Sequence, residues 1–232
     1  MNFSMDLLLF GLYPYIAVVI CVAACIIRFD REQYTWKAGS SQLLRGKGMV
    51  MASNLFHIGI IFVLMGHVVG LLTPEWIYHY VISTPNKQLL AMVSGGLFGF
   101  LCLIGMTMLL YRRITDERVR ASSSFSDFVV LIMLYIQLIL GLCTIFVSAD
   151  HLDGSVMLQL ATWAQSIVIL QPLEASTAIA GVHILYKLHV FVGLSIILIF
   201  PYTRLVHIIS APIWYFGRSY QIVRQRNVRG TH

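Results

Sequence analysis

Four of the eight histidines lie inside long apolar stretches of the chain, where an imidazole raises a functional question. These residues are His57, His67, His189 and His207. A strongly polar side chain is costly in hydrocarbon, so it usually pairs with another group, binds a ligand or relays a proton. An imidazole can ligate a metal or haem iron, carry a proton, or hydrogen-bond a neighbouring helix. The elements that hold the four rings decide between these roles.

The composition indicates a membrane protein with several spans. Hydrophobic residues make up 58% of the 232 residues and charged residues only 11%, whereas a soluble domain has about 45–50% and about 25%. So few charged side chains cannot cover a globule with hydrated groups. The same composition excludes collagen, coiled coils and intrinsic disorder. The chain is therefore expected to be a multi-pass membrane protein.

Five stretches are long and apolar enough to cross a bilayer, for which about 20 residues are needed. Each must be helical, because hydrocarbon offers no partner for free backbone groups. The sequence therefore predicts an all-α membrane protein, a five-transmembrane-helix bundle that forms a single membrane domain over residues 1–232. The predicted spans are about 7–27, 48–74, 88–111, 128–149 and 180–207. We interpret the uncharged segment 154–173 as a helix lying at the outer surface, with a re-entrant element as the alternative.

The net charge of +6 invites a nucleic-acid interpretation, which the distribution of the basic residues excludes. Of the 16 Lys and Arg residues, all but Lys87 and Lys187 fall in the segments 28–47, 112–127 and 204–232. Basic residues collect on the cytoplasmic side of a bilayer. The chain is therefore expected to have a periplasmic N-terminus, a cytoplasmic C-terminus and no nucleic-acid partner.

The four intramembrane histidines sort into two pairs at two depths. The second span runs outward and the fifth runs inward, so His67 and His189 lie toward the outer side, and His57 and His207 toward the cytoplasm. Two such cross-helix pairs could ligate two bis-histidine haems stacked across the bilayer. Along the second span His57 and His67 differ in height by roughly 15 Å, and along the fifth span His189 and His207 differ by roughly 27 Å. These unequal rises require helix tilt, unequal haem inclination or a kink at Pro201. The alternative is that each ring only hydrogen-bonds a neighbouring helix.

Other polar residues and one glycine extend this interpretation. Lys87 stands just before the third span on the outer side, where it could contact a quinone oxygen or a lipid phosphate; the residues alone favour the phosphate. Arg112 and Arg113 are first of all topology determinants, which could also pair with haem propionates. Gly66 leaves room for a flat macrocycle, although glycine also serves plain helix packing.

Around these residues the chain resembles the membrane-embedded cytochrome b (gamma) subunit of respiratory nitrate reductase. The resemblance is carried by five blocks: RFDREQYTWKAGSSQLLRGKGM (28–49), ASNLFHIGI (52–60), GHVVGLLTPEW (66–76), KLHVFVG (187–193) and FPYTRLVHI (200–208). These blocks contain both histidine pairs, and QYTWKAGSSQLL and ASNLFHIGI are quite specific. The similarity runs along nearly the whole chain and is weakest between residues 170 and 180.

The resemblance implies haem ligands position by position. His67 and His189 match the ligands of the haem b nearer the periplasm. His57 and His207 match those of the haem b nearer the cytoplasm. The implied cofactors of this chain are therefore two bis-histidine haems b.

The resemblance also implies an activity and partners. Lys87 matches a lysine of the quinol site beside the outer haem, with Gly66 next to that haem's ligand, which favours quinol over lipid phosphate. The chain would oxidise menaquinol or ubiquinol near the periplasmic side of the bacterial inner membrane and pass electrons through both haems to a cytoplasmic subunit with iron–sulfur clusters. A catalytic subunit with a molybdenum cofactor would then reduce nitrate. The basic tail 208–232 would dock the iron–sulfur subunit.

Two other interpretations stay open. One is a related cytochrome b that oxidises quinol for another cytoplasmic reductase, such as a heterodisulfide or sulfite reductase. The other is a transporter without haem, in which the histidines pack helices or relay protons. An optical spectrum distinguishes a transporter from a cytochrome b, because reduced bis-histidine haem has sharp α-bands and a transporter without haem has none.

Overall fold

The computed structural model describes residues 3–36 and 48–209. Five helices within these residues are long and apolar enough to cross a membrane. Together with two shorter helices between the fourth and the fifth, they are α1 (Leu7–Arg31), α2 (Met49–Leu72), α3 (Thr84–Thr115), α4 (Phe125–Ala149), α5 (Ser155–Val168), α6 (Pro172–Ala180) and α7 (Ile184–Ile199). The predicted all-α, five-helix membrane bundle is therefore confirmed.

Helices α3 and α4 begin a few residues before the predicted spans, and the first turn of α4 is capped by side chains. The Ser124 hydroxyl accepts a hydrogen bond from the N–H of Asp127 at 3.3 Å, and the Asp127 carboxylate accepts one from the N–H of Ser124 at 3.0 Å. This reciprocal pair satisfies two backbone donors that a helix start leaves free. Pro85 stands in the first turn of α3, where a missing N–H costs nothing.

The last span differs from its prediction, because no single helix carries both His189 and His207. Helix α7 ends at Ile199, and the chain continues in two 3₁₀ turns, Phe200–Tyr202 and Arg204–Ile208. Pro201 has no N–H, and in a helix its ring would clash with the carbonyl four residues earlier, so it can end a helix as well as kink it. Near Pro201, where a kink was one of three alternatives, the helix therefore ends, and His207 lies on the second 3₁₀ turn.

The segment expected to lie at the outer surface, 154–173, contains α5, which forms a helical hairpin with α6. Trp163 donates its indole N–H to the carbonyl of Phe10 at 2.9 Å, and the Gln165 amide donates to the carbonyl of Leu71 at 3.0 Å. The Tyr15 hydroxyl donates to the carbonyl of Ile167 at 3.0 Å. The hairpin thus packs against one end of α1 and α2, because Trp and Gln there meet backbone acceptors of the bundle.

Helices α2 and α3 approach each other closely at two glycines. A Cβ at Gly59 would lie 2.7 Å from the backbone nitrogen of Cys102, and one at Gly105 would lie 2.4 Å from the backbone of α2. No larger side chain fits at either contact, as in other close helix pairs in membranes. Much of the remaining surface of α2 is exposed, including His57 and His67.

Buried charged groups distinguish the two ends of the bundle. One end contains Asp6, Lys87 and Lys187, and the opposite end contains Arg113 and Asp127. We call them the Asp6 end and the Arg113 end. The orientation that puts the Asp6 end on the periplasmic side stays a prediction.

A buried ion pair at the Asp6 end joins α7 to the residue that precedes α1 and to the end of α6. The Lys187 ammonium on α7 donates to both carboxylate oxygens of Asp6, at 3.1 Å and 3.3 Å, and to the carbonyl of Ala180 at the end of α6. The Lys187 side chain is 6% exposed and that of Asp6 is 2% exposed. All three donors of the ammonium therefore have acceptors, which is the condition for burying such a charge.

Replacing Lys187 alone should destabilise the bundle more than removing both charges. Lys187→Met leaves the buried Asp6 carboxylate without its partner, which costs about 3–5 kcal/mol in protein interiors. The double variant Asp6→Asn with Lys187→Met removes both charges and should recover most of that loss. Thermal unfolding of the purified protein in detergent measures the difference. Equal stability of the single and double variants would contradict this account of the pair.

Candidate functional site

His67 from α2 and His189 from α7 face each other across the bundle. Their ring centroids are 5.9 Å apart, and the ring planes are inclined by 31°. Two metal–imidazole bonds of about 2 Å each, with the two ring radii added, also separate centroids by roughly 6 Å. The spacing of this pair therefore fits two axial ligands of one iron.

All four predicted ligands direct ring Nδ1 at a backbone carbonyl. The acceptors are Ser53 for His57 at 2.7 Å, Val63 for His67 at 2.8 Å, Gln137 for His189 at 3.1 Å and Arg204 for His207 at 2.5 Å. A carbonyl oxygen only accepts, so Nδ1 carries the proton and Nε2 keeps the lone pair. Metal-bound histidines are commonly held in this way. The donor set therefore fits neutral imidazoles that ligate iron through Nε2.

Two other histidines use their rings differently. Nε2 of His79 lies 3.0 Å from the Thr84 hydroxyl and 3.3 Å from the Glu75 carboxylate. Nδ1 of His183 accepts a hydrogen bond from the N–H of Leu185 at 3.3 Å. The shared Nδ1–carbonyl arrangement therefore separates the four predicted ligands from these two residues.

His57 and His207 belong to elements of different kinds at the Arg113 end. His57 lies on α2, whereas His207 lies on the 3₁₀ turn after the end of α7. These two residues share the Nδ1–carbonyl arrangement. Their pairing around a second haem stays a prediction.

Helix α4 contributes two residues that the sequence analysis missed. A Cβ at Gly141 would lie 2.9 Å from Cε1 of His189, so a larger side chain would strike the imidazole. The Gln137 amide nitrogen lies 3.3 Å from Nε2 of His189, and an iron atom could replace this donor. Gln137 and Gly141 are one helical turn apart. The sequence signal was an amide inside an apolar span, four residues before a glycine.

The surface of α2 beside His67 is open. A Cβ at Gly66 would meet no atom within 4 Å, and the side chain of His67 is exposed. An imidazole exposed on a spanning helix would face hydrocarbon, which is costly. A flat macrocycle against this face of α2 would cover the ring. The residues present therefore fit a haem at the predicted outer site.

Lys87 is buried at the Asp6 end, on the first turn of α3. It is 8% exposed, and its Nζ lies 3.6 Å from the centroid of the Tyr78 ring. Within residues 3–36 and 48–209, this Nζ has no hydrogen-bond partner. A lipid phosphate would bind an ammonium at the surface, whereas a buried ammonium with free donors can serve a substrate oxygen. Burial therefore favours the quinol role over the lipid role.

The two arginines considered for haem propionates have protein contacts. Arg113 lies 3.4 Å from the Asp127 carboxylate and donates to the Ser123 hydroxyl at 2.8 Å. Arg112 has its guanidinium 3.1 Å from the sulfur of Met49. The charge of Arg113 is therefore already met by a carboxylate, and the propionate role of both residues stays a prediction.

Comparison with known proteins gives a consistent result over nearly the whole chain. Residues 6–226 match the family described as nitrate reductase gamma subunit. The chain is 48% identical over 222 residues to the respiratory nitrate reductase 2 gamma chain of Escherichia coli (strain K12), covering 96% of this chain and 98% of that protein. It is 46% identical over 223 residues to the respiratory nitrate reductase 1 gamma chain of the same organism, covering 96% and 99%.

A more distant relative shows the same extent of similarity. The chain is 34% identical over 221 residues to the nitrate reductase gamma chain of Bacillus subtilis (strain 168). That alignment covers 95% of this chain and 98% of the relative. The similarity therefore includes both histidine pairs and all five spanning helices.

Proposed function

The chain belongs to the nitrate reductase gamma subunit family, and from this premise we propose that it oxidises quinol and delivers the electrons to a cytoplasmic partner through two haems b. Membership makes it a membrane cytochrome b subunit of an oxidoreductase complex and a multi-pass inner-membrane protein. The number of haems, their ligands, the quinol site and the electron route are the proposal. The observation that carries it is the facing pair His67 and His189.

The chain's own residues would hold and orient the haems. His67 and His189 would ligate the haem at the Asp6 end, and His57 and His207 the haem at the Arg113 end. Carbonyl acceptors fix each Nδ1 proton and so keep Nε2 ready for iron. Each bound haem would supply reversible one-electron chemistry at iron.

Lys87 and Gly66 would form part of the quinol site at the Asp6 end. The Lys87 ammonium can donate a hydrogen bond to a quinol or quinone oxygen and stabilise negative charge as protons leave. The face of the Tyr78 ring holds the ammonium by a cation–π contact. The low exposure of Lys87 would keep competing water away from that donor.

The proposed partners follow from the family. A gamma chain of a nitrate reductase implies alpha and beta partner subunits; we propose that the beta subunit carries iron–sulfur clusters and the alpha subunit the molybdenum cofactor that reduces nitrate. The N-terminus would be periplasmic and the Arg113 end cytoplasmic. The tail 208–232 would dock the iron–sulfur subunit, but residues 210–232 lie outside the described part of the chain.

An optical spectrum after addition of quinol tests the proposal. Anaerobic addition of a reduced quinol to membranes that contain the complex should produce sharp α-bands of bis-histidine haem. Nitrate should then reoxidise these bands. A spectrum without α-bands, in protein purified with its partners, would instead favour a transporter without haem. Reoxidation by another acceptor and not by nitrate would favour a cytochrome b of a different reductase.

A further inference from the structure

The segment that carries His207 is not part of an α-helix. After α7 ends at Ile199, the chain turns through residues 200–208 in two short 3₁₀ turns. A 3₁₀ turn is less regular and less well hydrogen-bonded than an α-helix. His189, by contrast, lies in the middle of α7. The place of His207 therefore depends on contacts from other elements.

Arg28 from α1 holds the start of this segment. Its Nη1 donates to the carbonyl of Pro201 and, at 3.0 Å, to the carbonyl of Thr203. The other side of the same guanidinium donates to Thr35, through Nε to the hydroxyl at 3.2 Å and through Nη2 to the carbonyl at 2.9 Å. One planar group thus ties the end of α1 to two carbonyls of the chain that follows α7.

Asp127 from α4 holds the segment from the other side. Its carboxylate accepts a hydrogen bond from Nε of Arg204 at 2.6 Å, and Asp127 is 7% exposed. The capping pair with Ser124 and the Arg113 guanidinium fix the carboxylate in turn. The carbonyl of Arg204 accepts the Nδ1 proton of His207 at 2.5 Å. Asp127 is therefore connected to the His207 imidazole through one residue.

We propose that Arg28 and Asp127 are positioning residues for His207, which together set the place and orientation of its Nε2 toward a haem iron. The inference rests on the proposed function insofar as His207 is taken as an iron ligand. Both residues act on the 3₁₀ segment, one through its carbonyls and one through its Arg204 side chain. Neither has a described contact with His67 or His189, so their loss should affect the haem at the Arg113 end alone.

The test compares Arg28→Gln and Asp127→Asn with Arg31→Gln, a matched control from the same helix end. In the purified complex, haem per chain, the low-spin electron paramagnetic resonance signal of each haem and its midpoint potential are measured. Loss of a group that orients a metal ligand commonly lowers affinity about 10–100-fold. We expect Arg28→Gln and Asp127→Asn to lower occupancy of the haem at the Arg113 end and to alter its signal and potential. The other haem and the Arg31→Gln protein should be unchanged.

Conservative variants separate positioning from general packing. Asp127→Glu keeps a carboxylate for Arg204 and should restore much of the signal. Arg28→Lys keeps the charge but loses the forked geometry, and should restore less. Unchanged occupancy, signal and potential in both Arg28→Gln and Asp127→Asn would overturn the inference, and so would equal loss of both haems. His207→Ala is measured in parallel: if it retained both haems, the proposed ligand itself would be wrong.

Discussion

Replacing His67 or His189 with alanine should remove one and the same haem from the protein. The two rings face each other at a spacing that fits a shared iron, and one remaining axial ligand cannot hold a low-spin bis-histidine haem. Each variant should therefore keep one haem per chain, with its spectrum intact. Quinol-dependent nitrate reduction by the complex should be abolished, because the proposed quinol site lies beside the lost haem. Haem content and the spectrum of the purified complex measure the loss.

Two controls accompany the His67 and His189 variants. His79→Ala removes an imidazole at the same end of the bundle that is engaged with Thr84 and Glu75, so it should keep both haems. Nitrate reduction driven by an artificial dye that delivers electrons to the soluble subunits should persist in all three variants. The pairing would be refuted if His67→Ala and His189→Ala lost different haems, or if His57→Ala and His189→Ala lost the same one.

Lys87→Ala should lower quinol-dependent haem reduction by roughly 10²-fold, the usual effect of removing one preorganised donor at developing charge. The Lys87 ammonium is buried and has no described hydrogen-bond partner, so its donors are free for a substrate oxygen. Lys87→Arg should be impaired as well, because it keeps the charge and changes the donor geometry. Stopped-flow mixing of the complex with quinol measures the rate of haem reduction.

The Lys87 variants also distinguish a substrate contact from a lipid anchor. Both should retain two haems, complex assembly and dye-dependent nitrate reduction, since those properties do not use the quinol site. A lipid anchor needs only positive charge near the headgroups, so Lys87→Arg would then behave as the unmodified protein. Quinol oxidation at the unmodified rate in Lys87→Ala would place the pocket elsewhere.

The spanning helices could be predicted from the sequence because the bilayer leaves the backbone no alternative. Once about 20 apolar residues must cross hydrocarbon, a helix is required whatever its neighbours are. The antiparallel course of the second and fifth spans then brings His67 and His189 to one depth, and the structure places their rings together. This part of the site follows from topology and not from fine packing.

Features that depend on tertiary partners could not be predicted in the same way. Pro201 can kink a helix or end it, and here α7 ends at Ile199, with the Arg28 guanidinium donating to the carbonyls of Pro201 and Thr203. The hairpin of α5 and α6 depends on Trp163 and Gln165 finding backbone acceptors on α1 and α2. The contact of Gly141 with the His189 ring likewise depends on how α4 packs. None of these partners is near its counterpart in the sequence.

The number of haems per chain tests the central claim most directly. Purified protein is denatured in alkaline pyridine, haem b is quantified from the reduced pyridine haemochrome, and the chain is quantified by amino-acid analysis. Two histidine pairs, each with Nδ1 directed at a backbone carbonyl so that Nε2 keeps the lone pair, predict two haems b per chain. A ratio of one in fully loaded protein would remove one pair from the account, and a ratio of zero would contradict it altogether.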